Sequence, residues 1–167
     1  LRLNDPSRRN VLIWEDCGTE SSFDKEVLTH CRLTNSTPRQ NAGVVLNYHL
    51  VDPLTNPRFE YFIVQINRND NRVELVRYNG LSLVLENFVT PGAPFAVGDW
   101  FEIKAKGEDQ GGGLTRITAS VRNVTNSAWP TVSFTITTNR WGNDDGFFGI
   151  HTNRGRSDFS FWRLYDA

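Results

Sequence analysis

In Val44-Val45-Leu46-Asn47-Tyr48-His49-Leu50-Val51, every second residue from Val44 onward is large and apolar. Successive side chains of a β-strand point to opposite faces, so this pattern predicts a strand with one face in a core. Glu60-Tyr61-Phe62-Ile63-Val64-Gln65-Ile66-Asn67 repeats it. The residues predicted to face the core are Val44, Leu46, Tyr48, Leu50, Phe62, Val64 and Ile66. Those predicted to face outward are Val45, Asn47, His49, Val51, Tyr61, Ile63, Gln65 and Asn67.

Similar runs rich in Val, Ile, Thr, Phe and Tyr recur along the chain between clusters of Gly, Asn, Asp and Pro, and helical periodicity is nearly absent. We expect tight hairpin turns at Asp70-Asn71 and Asn79-Gly80, because these residues tolerate positive φ. The strands are predicted near residues 11–15, 27–34, 43–51, 59–67, 72–78, 81–86, 100–106, 114–122, 131–137, 146–152 and 158–165. Many strands joined by short turns predict an all-β sandwich or barrel.

Length and charge restrict the function classes. We expect the 167 residues to form one domain, residues 1–167, since this length can bury one core and no linker is visible. A net charge of -1 with scattered arginines argues against a nucleic-acid partner. No stretch approaches the ~20 apolar residues of a membrane span, so no membrane partner is expected. The sequence does not indicate an oligomeric state.

Three features favour a secreted protein or a module of one. The chain begins at Leu1 rather than Met, as a processed or excised form would. Cys17 and Cys31 are predicted to form a disulfide, which would contribute about 3 kcal/mol; two buried free thiols are the alternative. Asn35-Ser36-Thr37 and Asn123-Val124-Thr125 are N-glycosylation sequons in segments that read as turns.

The order of segments resembles the concanavalin A-like lectin/glucanase superfamily, particularly its laminin G-like members. The similar segments are Ile13-Trp14-Glu15-Asp16, Gly43 to Tyr48, Gly98-Asp99-Trp100-Phe101-Glu102-Ile103-Lys104, Gly146 to Thr152 and Asp158-Phe159-Ser160-Phe161-Trp162. The resemblance implies an antiparallel two-sheet jelly-roll sandwich. It does not fix a function, because this scaffold hosts lectins, glycosidases, polysaccharide lyases and adhesion modules.

The resemblance also implies a structural calcium between an acid of the early strand and an Asp of the closing strand. Glu15 and Asp16 match the first half, but the closing strand reads Phe159-Ser160-Phe161, so Asp158 or Asp166 would have to substitute. Calcium needs six to eight oxygen ligands. We therefore predict no metal site and take the acidic pair as solvated, with a structural calcium as the alternative.

Sugar recognition needs flat apolar rings beside amides and charged groups that bind hydroxyls. The residues predicted to bind a glycan are Asn47, His49, Tyr61, Gln65, Asn67, Tyr78, Arg140 and Trp141, with Arg72 and Glu74 continuing the same face. An ordinary polar sheet face is the alternative. Trp129 lies in a loop, where it is either a ligand platform or a plug, and Trp14, Trp100 and Trp162 are predicted to be core.

We predict a non-catalytic, lectin-like domain whose partner is a glycan or polysaccharide, with no catalytic residue. One alternative is a polysaccharide lyase, with His49 or Tyr61 as base and Gln65 and Arg77 beside the sugar carboxylate. The other alternative is a protein-binding adhesion module.

Overall fold

The computed structural model describes residues 2–3, 9–14, 25–34, 40–51, 58–139, 146–153 and 156–166. The strands in these ranges are β1 (Arg2–Leu3), β2 (Arg9–Trp14), β3 (Lys25–Leu33), β4 (Asn41–Val51), β5 (Arg58–Asn67), β6 (Arg72–Asn79), β7 (Leu83–Val89), β8 (Trp100–Asp109), β9 (Thr115–Asn123), β10 (Val132–Thr138), β11 (Phe147–Asn153) and β12 (Ser157–Asp166). Within the same ranges no helix is long and apolar enough to cross a membrane.

The strands form two antiparallel sheets. Sheet I has the order β1-β12-β3-β8-β9-β10, and sheet II has the order β2-β11-β4-β5-β6-β7. The predicted all-β, two-sheet jelly-roll sandwich is confirmed, and each predicted strand is present within a few residues of its predicted bounds. β1 was missed, because two residues are too short to show alternation.

The core lies between the sheets, where the alternating inward side chains of both sheets meet. One end is closed by Trp129, which is buried and packs its ring 5.3 Å from Phe95 and 5.5 Å from Phe101. Its indole Nε1 donates to the carbonyls of Ala93 and Pro94, each at 3.2 Å. Trp129 is therefore the plug of this end and not a ligand platform.

A bulge in β4 changes which faces its last residues occupy. The pairing with β5 shifts register between Leu46 and His49, and Asn47 adopts a φ of 52°, a left-handed conformation that Asn tolerates. Tyr48, predicted to face the core, is carried to the outer face of sheet II. His49, predicted to face outward, pairs with Glu60 and lies on the inner side. Both predictions were wrong, because an extra residue reverses the alternation beyond it.

Two further predictions need correction. Trp100 is not core: Phe101 takes the inward position, and Trp100 lies half-buried on the outer face of sheet I, with the Arg32 guanidinium 4.9 Å from its ring centroid. Cys31 is a buried free thiol rather than half of the predicted disulfide, and Cys17 lies outside the described residues. Burial raises the pKa of Cys31 to about 12, because the thiolate would be desolvated.

Candidate ligand-binding face

Several charges on the outer face of sheet I are paired across strands. Lys104 bonds Glu26 at 2.9 Å, and Arg122 donates to both oxygens of Glu102 at 2.7 and 2.9 Å. The hydrogen bond from Arg122 is the main reason why the pKa of Glu102 lies below its ordinary value; burial opposes this shift, and a hydrogen bond with His30 adds to it. Paired charges of this kind leave few groups for a ligand.

The outer face of sheet II carries four aromatic rings side by side, the aromatic row. Tyr48 stacks on Phe59 with centroids 4.7 Å apart, Tyr48 and Tyr61 are 5.2 Å apart, and Tyr61 and Tyr78 are 5.0 Å apart. Tyr61 is buried, and the hydroxyl of Tyr78 donates to the carbonyl of Gly80 at 3.1 Å. Phe59 keeps 43% of its surface exposed, so this row offers a ligand mainly its Phe59 end.

Farther along the same face, Glu74 is held by two amides, an arrangement called here the Glu74 clamp. Gln65 Nε2 and Asn67 Nδ2 each donate to one oxygen of the carboxylate at 2.9 Å. Gln65 and Glu74 are opposite each other on β5 and β6 and are 3% and 4% exposed. Asn67 Nδ2 also donates to Asp70 at 3.1 Å. Two predicted ligand residues, Gln65 and Asn67, thus use their donors internally.

One step beyond the clamp, four side chains form a line across four strands, called the polar row. Asn153 pairs with Asn41, Asn41 with Asn67, and Asn67 with Arg72, so β11, β4, β5 and β6 contribute one residue each. Neighbouring strands are about 4.8 Å apart, so the row spans roughly 14 Å. All four are half-buried. Within the described part of the chain, the side-chain amides of Asn41 and Asn153 form no hydrogen bond.

An exposed ring flanks the polar row. Phe88 on β7 lies opposite Glu74 and keeps 46% of its surface exposed. The guanidinium carbon of Arg72 is 4.3 Å from the Phe88 ring centroid, which is within cation–π range. This end of the face thus places free amides, a guanidinium and an aromatic ring together.

The structure brings together only part of the predicted site. Tyr61, Gln65, Asn67 and Tyr78 lie on the outer face of sheet II. Asn47 is buried at the bulge, and His49 lies on the other side of the sheet. Arg140 and Trp141 lie outside the described residues. Asn41, Asn153 and Phe88 were not predicted from the sequence. Asn41 could have been found by extending the alternation of β4 backward past Gly43, because Asn41 and Val45 are four residues apart and therefore face the same side of the strand.

The lyase constellation is divided by the sheet. Tyr61 and Gln65 lie on the outer face, whereas His49 and Arg77 pair with inward residues of β5. Arg77 already donates to Glu86 at 2.9 Å. A Tyr61 base and an Arg77 neutraliser lie on opposite sides of one sheet and cannot act on the same sugar, whereas His49 and Arg77 share the inward side, where Arg77 is already paired with Glu86.

The described residues contain no group of three or more His, Cys, Asp or Glu side chains suited to a metal ion. Asp158, one substitute in the calcium pattern, accepts from Arg32 at 2.6 Å. Glu15 and Asp16 lie outside the described residues.

No protein-family model and no curated protein sequence matches this chain. Among solved structures, the carbohydrate-binding module CBM66 from Bacillus subtilis superposes with a TM-score of 0.65 at 9% identity, over 98% of this chain and 84% of the module. The exoplasmic/lumenal domain of VIP36, in a form bound to Ca2+ and Man3GlcNAc, gives 0.59 at 12% identity, over 99% and 77%.

A GH43 protein, BlXynB from Bacillus licheniformis, gives a TM-score of 0.58 at 14% identity over 89% of this chain, which spans only 28% of that protein. At such low identities a structural likeness establishes the fold and nothing finer. The chain is therefore a β-sandwich of the kind found in carbohydrate-binding modules and lectins.

Proposed function

We propose that this protein is a non-catalytic carbohydrate-binding domain and that the glycan lies on the outer face of sheet II, at the polar row. The observation that carries the proposal is that the side-chain amides of Asn41 and Asn153, which form no hydrogen bond among the described residues, lie in line with Arg72, which contacts the exposed Phe88. CBM66 is a carbohydrate-binding module and the VIP36 domain is in a saccharide-bound form, and both of these structural neighbours support a sugar ligand.

The chemistry of the polar row suits hydroxyl groups. A primary amide both donates and accepts, as a sugar hydroxyl does, so adjacent amides satisfy neighbouring hydroxyls without burying an unpaired group. The part of the Phe88 ring that Arg72 leaves exposed offers an apolar surface for the C–H face of a pyranose. Together they supply the two contact types that orient a sugar.

An extracellular location fits a glycan partner, although one predicted modification does not fit the structure. Asn123 of the second sequon is 5% exposed, and its Nδ2, the atom to which a glycan would be linked, donates to Asp99 at 2.6 Å. Its Oδ1 accepts from the backbone N–H groups of Thr125 and Asn126. We therefore expect no glycan at Asn123. Asn35 lies outside the described residues.

A glycan array tests the proposal. We expect binding to a defined sugar class, and weakening by about three- to tenfold for Asn41→Ala, the value of one net hydrogen bond. Ser133→Ala, an exposed change on the outer face of sheet I, is the matched control and leaves binding unchanged. Silence of the folded protein across a broad array, or equal loss with both variants, would refute a glycan site on sheet II.

A further inference from the structure

Arg72 differs in its partners from three other arginines of the sandwich. Arg32 bonds Asp158, Arg77 bonds Glu86 and Arg122 bonds Glu102, each within 2.9 Å. Among the described residues Arg72 forms no ion pair, although it is half-buried on a face that carries carboxylates. Its charge is thus available to a ligand.

Two carboxylates close to Arg72 in sequence, Asp70 and Glu74, are already bound by amides. Both oxygens of Glu74 accept from the clamp amides of Gln65 and Asn67. Asp70 accepts from Asn67 through one oxygen and from Asn69 through the other, at 3.1 and 2.6 Å. Amide donors therefore stabilise these acids, and within the part of the chain that the structure describes neither carboxylate pairs with the guanidinium.

The guanidinium is also oriented. Its central carbon lies over the Phe88 ring at 4.3 Å from the centroid, and within the described ranges none of its N–H donors forms a hydrogen bond. Those donors form a fork that matches the two oxygens of a carboxylate. A pre-oriented fork loses little conformational entropy on binding, so the arrangement favours a planar anion over a neutral hydroxyl.

From this geometry we infer that the glycan is acidic: a uronic-acid unit whose carboxylate binds Arg72 while a neighbouring unit contacts Asn41. The inference rests on the proposed function and narrows it. Asn41 and Arg72 are two strands apart, roughly 10 Å, which is within the reach of a disaccharide unit.

The test is a calorimetric titration with an oligogalacturonate, with the same oligosaccharide after reduction of its carboxylates to alcohols, and with a sulfated neutral oligosaccharide. We expect the acid to bind at least about tenfold more tightly than the reduced form, as charge-assisted bonds do. Arg72→Ala should abolish this difference in affinity between the acid and its reduced form. Arg72→Lys keeps the charge without the forked donors and should retain part of the difference. Arg116→Ala, at an exposed arginine of the outer face of sheet I, is the control.

Unchanged thermal unfolding of the Arg72 variants shows that they fold. Equal binding of the acid and its reduced form, with no effect of Arg72→Ala, would overturn the inference and leave the proposed function standing. Binding of the sulfated probe alone would also overturn the carboxylate assignment. Binding of none of the three probes, together with a silent glycan array, would overturn the proposed function and the inference with it.

Discussion

The Glu74 clamp makes a quantitative prediction about stability. Glu74→Leu removes the acceptor of Gln65 Nε2, and Gln65 is only 3% exposed on the outer face of sheet II. A buried donor left without a partner costs about 1–3 kcal/mol. Gln65→Leu instead deprives a buried carboxylate of one of its two amides, which costs about 1.5–3 kcal/mol because the acceptor is charged.

The unfolding free energy of the double variant Glu74→Leu/Gln65→Leu is expected to lie within about 1 kcal/mol of the wild-type value, because replacing both partners by apolar side chains leaves no unsatisfied polar group between them. Asn67 keeps Asp70 as an acceptor and is half-exposed to water. Urea unfolding of the four proteins gives the coupling free energy of the pair, predicted to be at least about 1.5 kcal/mol.

The matched control is the surface pair Lys104–Glu26, whose lysine is 48% exposed and whose coupling free energy should stay below about 1 kcal/mol. If the stability loss of the Glu74/Gln65 double variant equals the sum of the two single losses, Glu74 and Gln65 are not coupled and the prediction is wrong.

Further tests concern Gly149, the carboxylate of Glu102 and the thiol of Cys31. Gly149→Ala should lower the unfolding free energy by about 1–3 kcal/mol, because a Cβ at this position would overlap the β2 backbone. Gly92→Ala is the control: its Cβ would make only an ordinary van der Waals contact, so the unfolding free energy should change by less than about 0.5 kcal/mol. The pKa of Glu102 is lowered in the folded state, so the ionised carboxylate stabilises the fold above the unfolded pKa of 4.5. This stabilisation is lost as the pH falls below that value. In urea titrations the difference in unfolding free energy between wild type and Glu102→Gln should therefore shrink below pH 4.5. In a Cys17→Ser background, Cys31 should resist iodoacetamide at pH 8 until the protein unfolds, and rapid native-state labelling would contradict its burial.

The fold was predictable because its signal is local. In β5, Phe62, Val64 and Ile66 all face the core as the alternation predicted, since no irregularity interrupts the strand. The turn after it forms at the predicted residues, where Asn71 takes a φ of 50°. Where alternation runs unbroken, period and turn chemistry determine the faces.

The site was only partly predictable, because its members meet through the bulge and through long-range pairing. Nothing local in β4 shows that Asn47 is left-handed, yet this one residue moves Tyr48 and His49 to opposite faces from those predicted. Asn41 and Asn153 are far apart in sequence and become neighbours only when β11 pairs with β4. Register between distant strands cannot be read from either strand alone.

Trp100 shows a further limit of residue-type reasoning. A Trp within a strand pattern is predicted to be core, but the inward parity of β8 belongs to Phe101, Ile103 and Ala105. Trp100 shares its parity with Glu102 and Lys104 and therefore lies outside with them. Parity along the strand was the better guide than hydrophobicity.

An NMR titration of 15N-labelled protein with the tightest ligand from the array tests most directly whether a glycan binds the outer face of sheet II. We predict that the side-chain amide signals of Asn41 and Asn153 and the Nε–H of Arg72 shift saturably, while backbone signals of β9 and β10 on sheet I stay in place. Saturable shifts confined to sheet I, or no shifts at all, would contradict it.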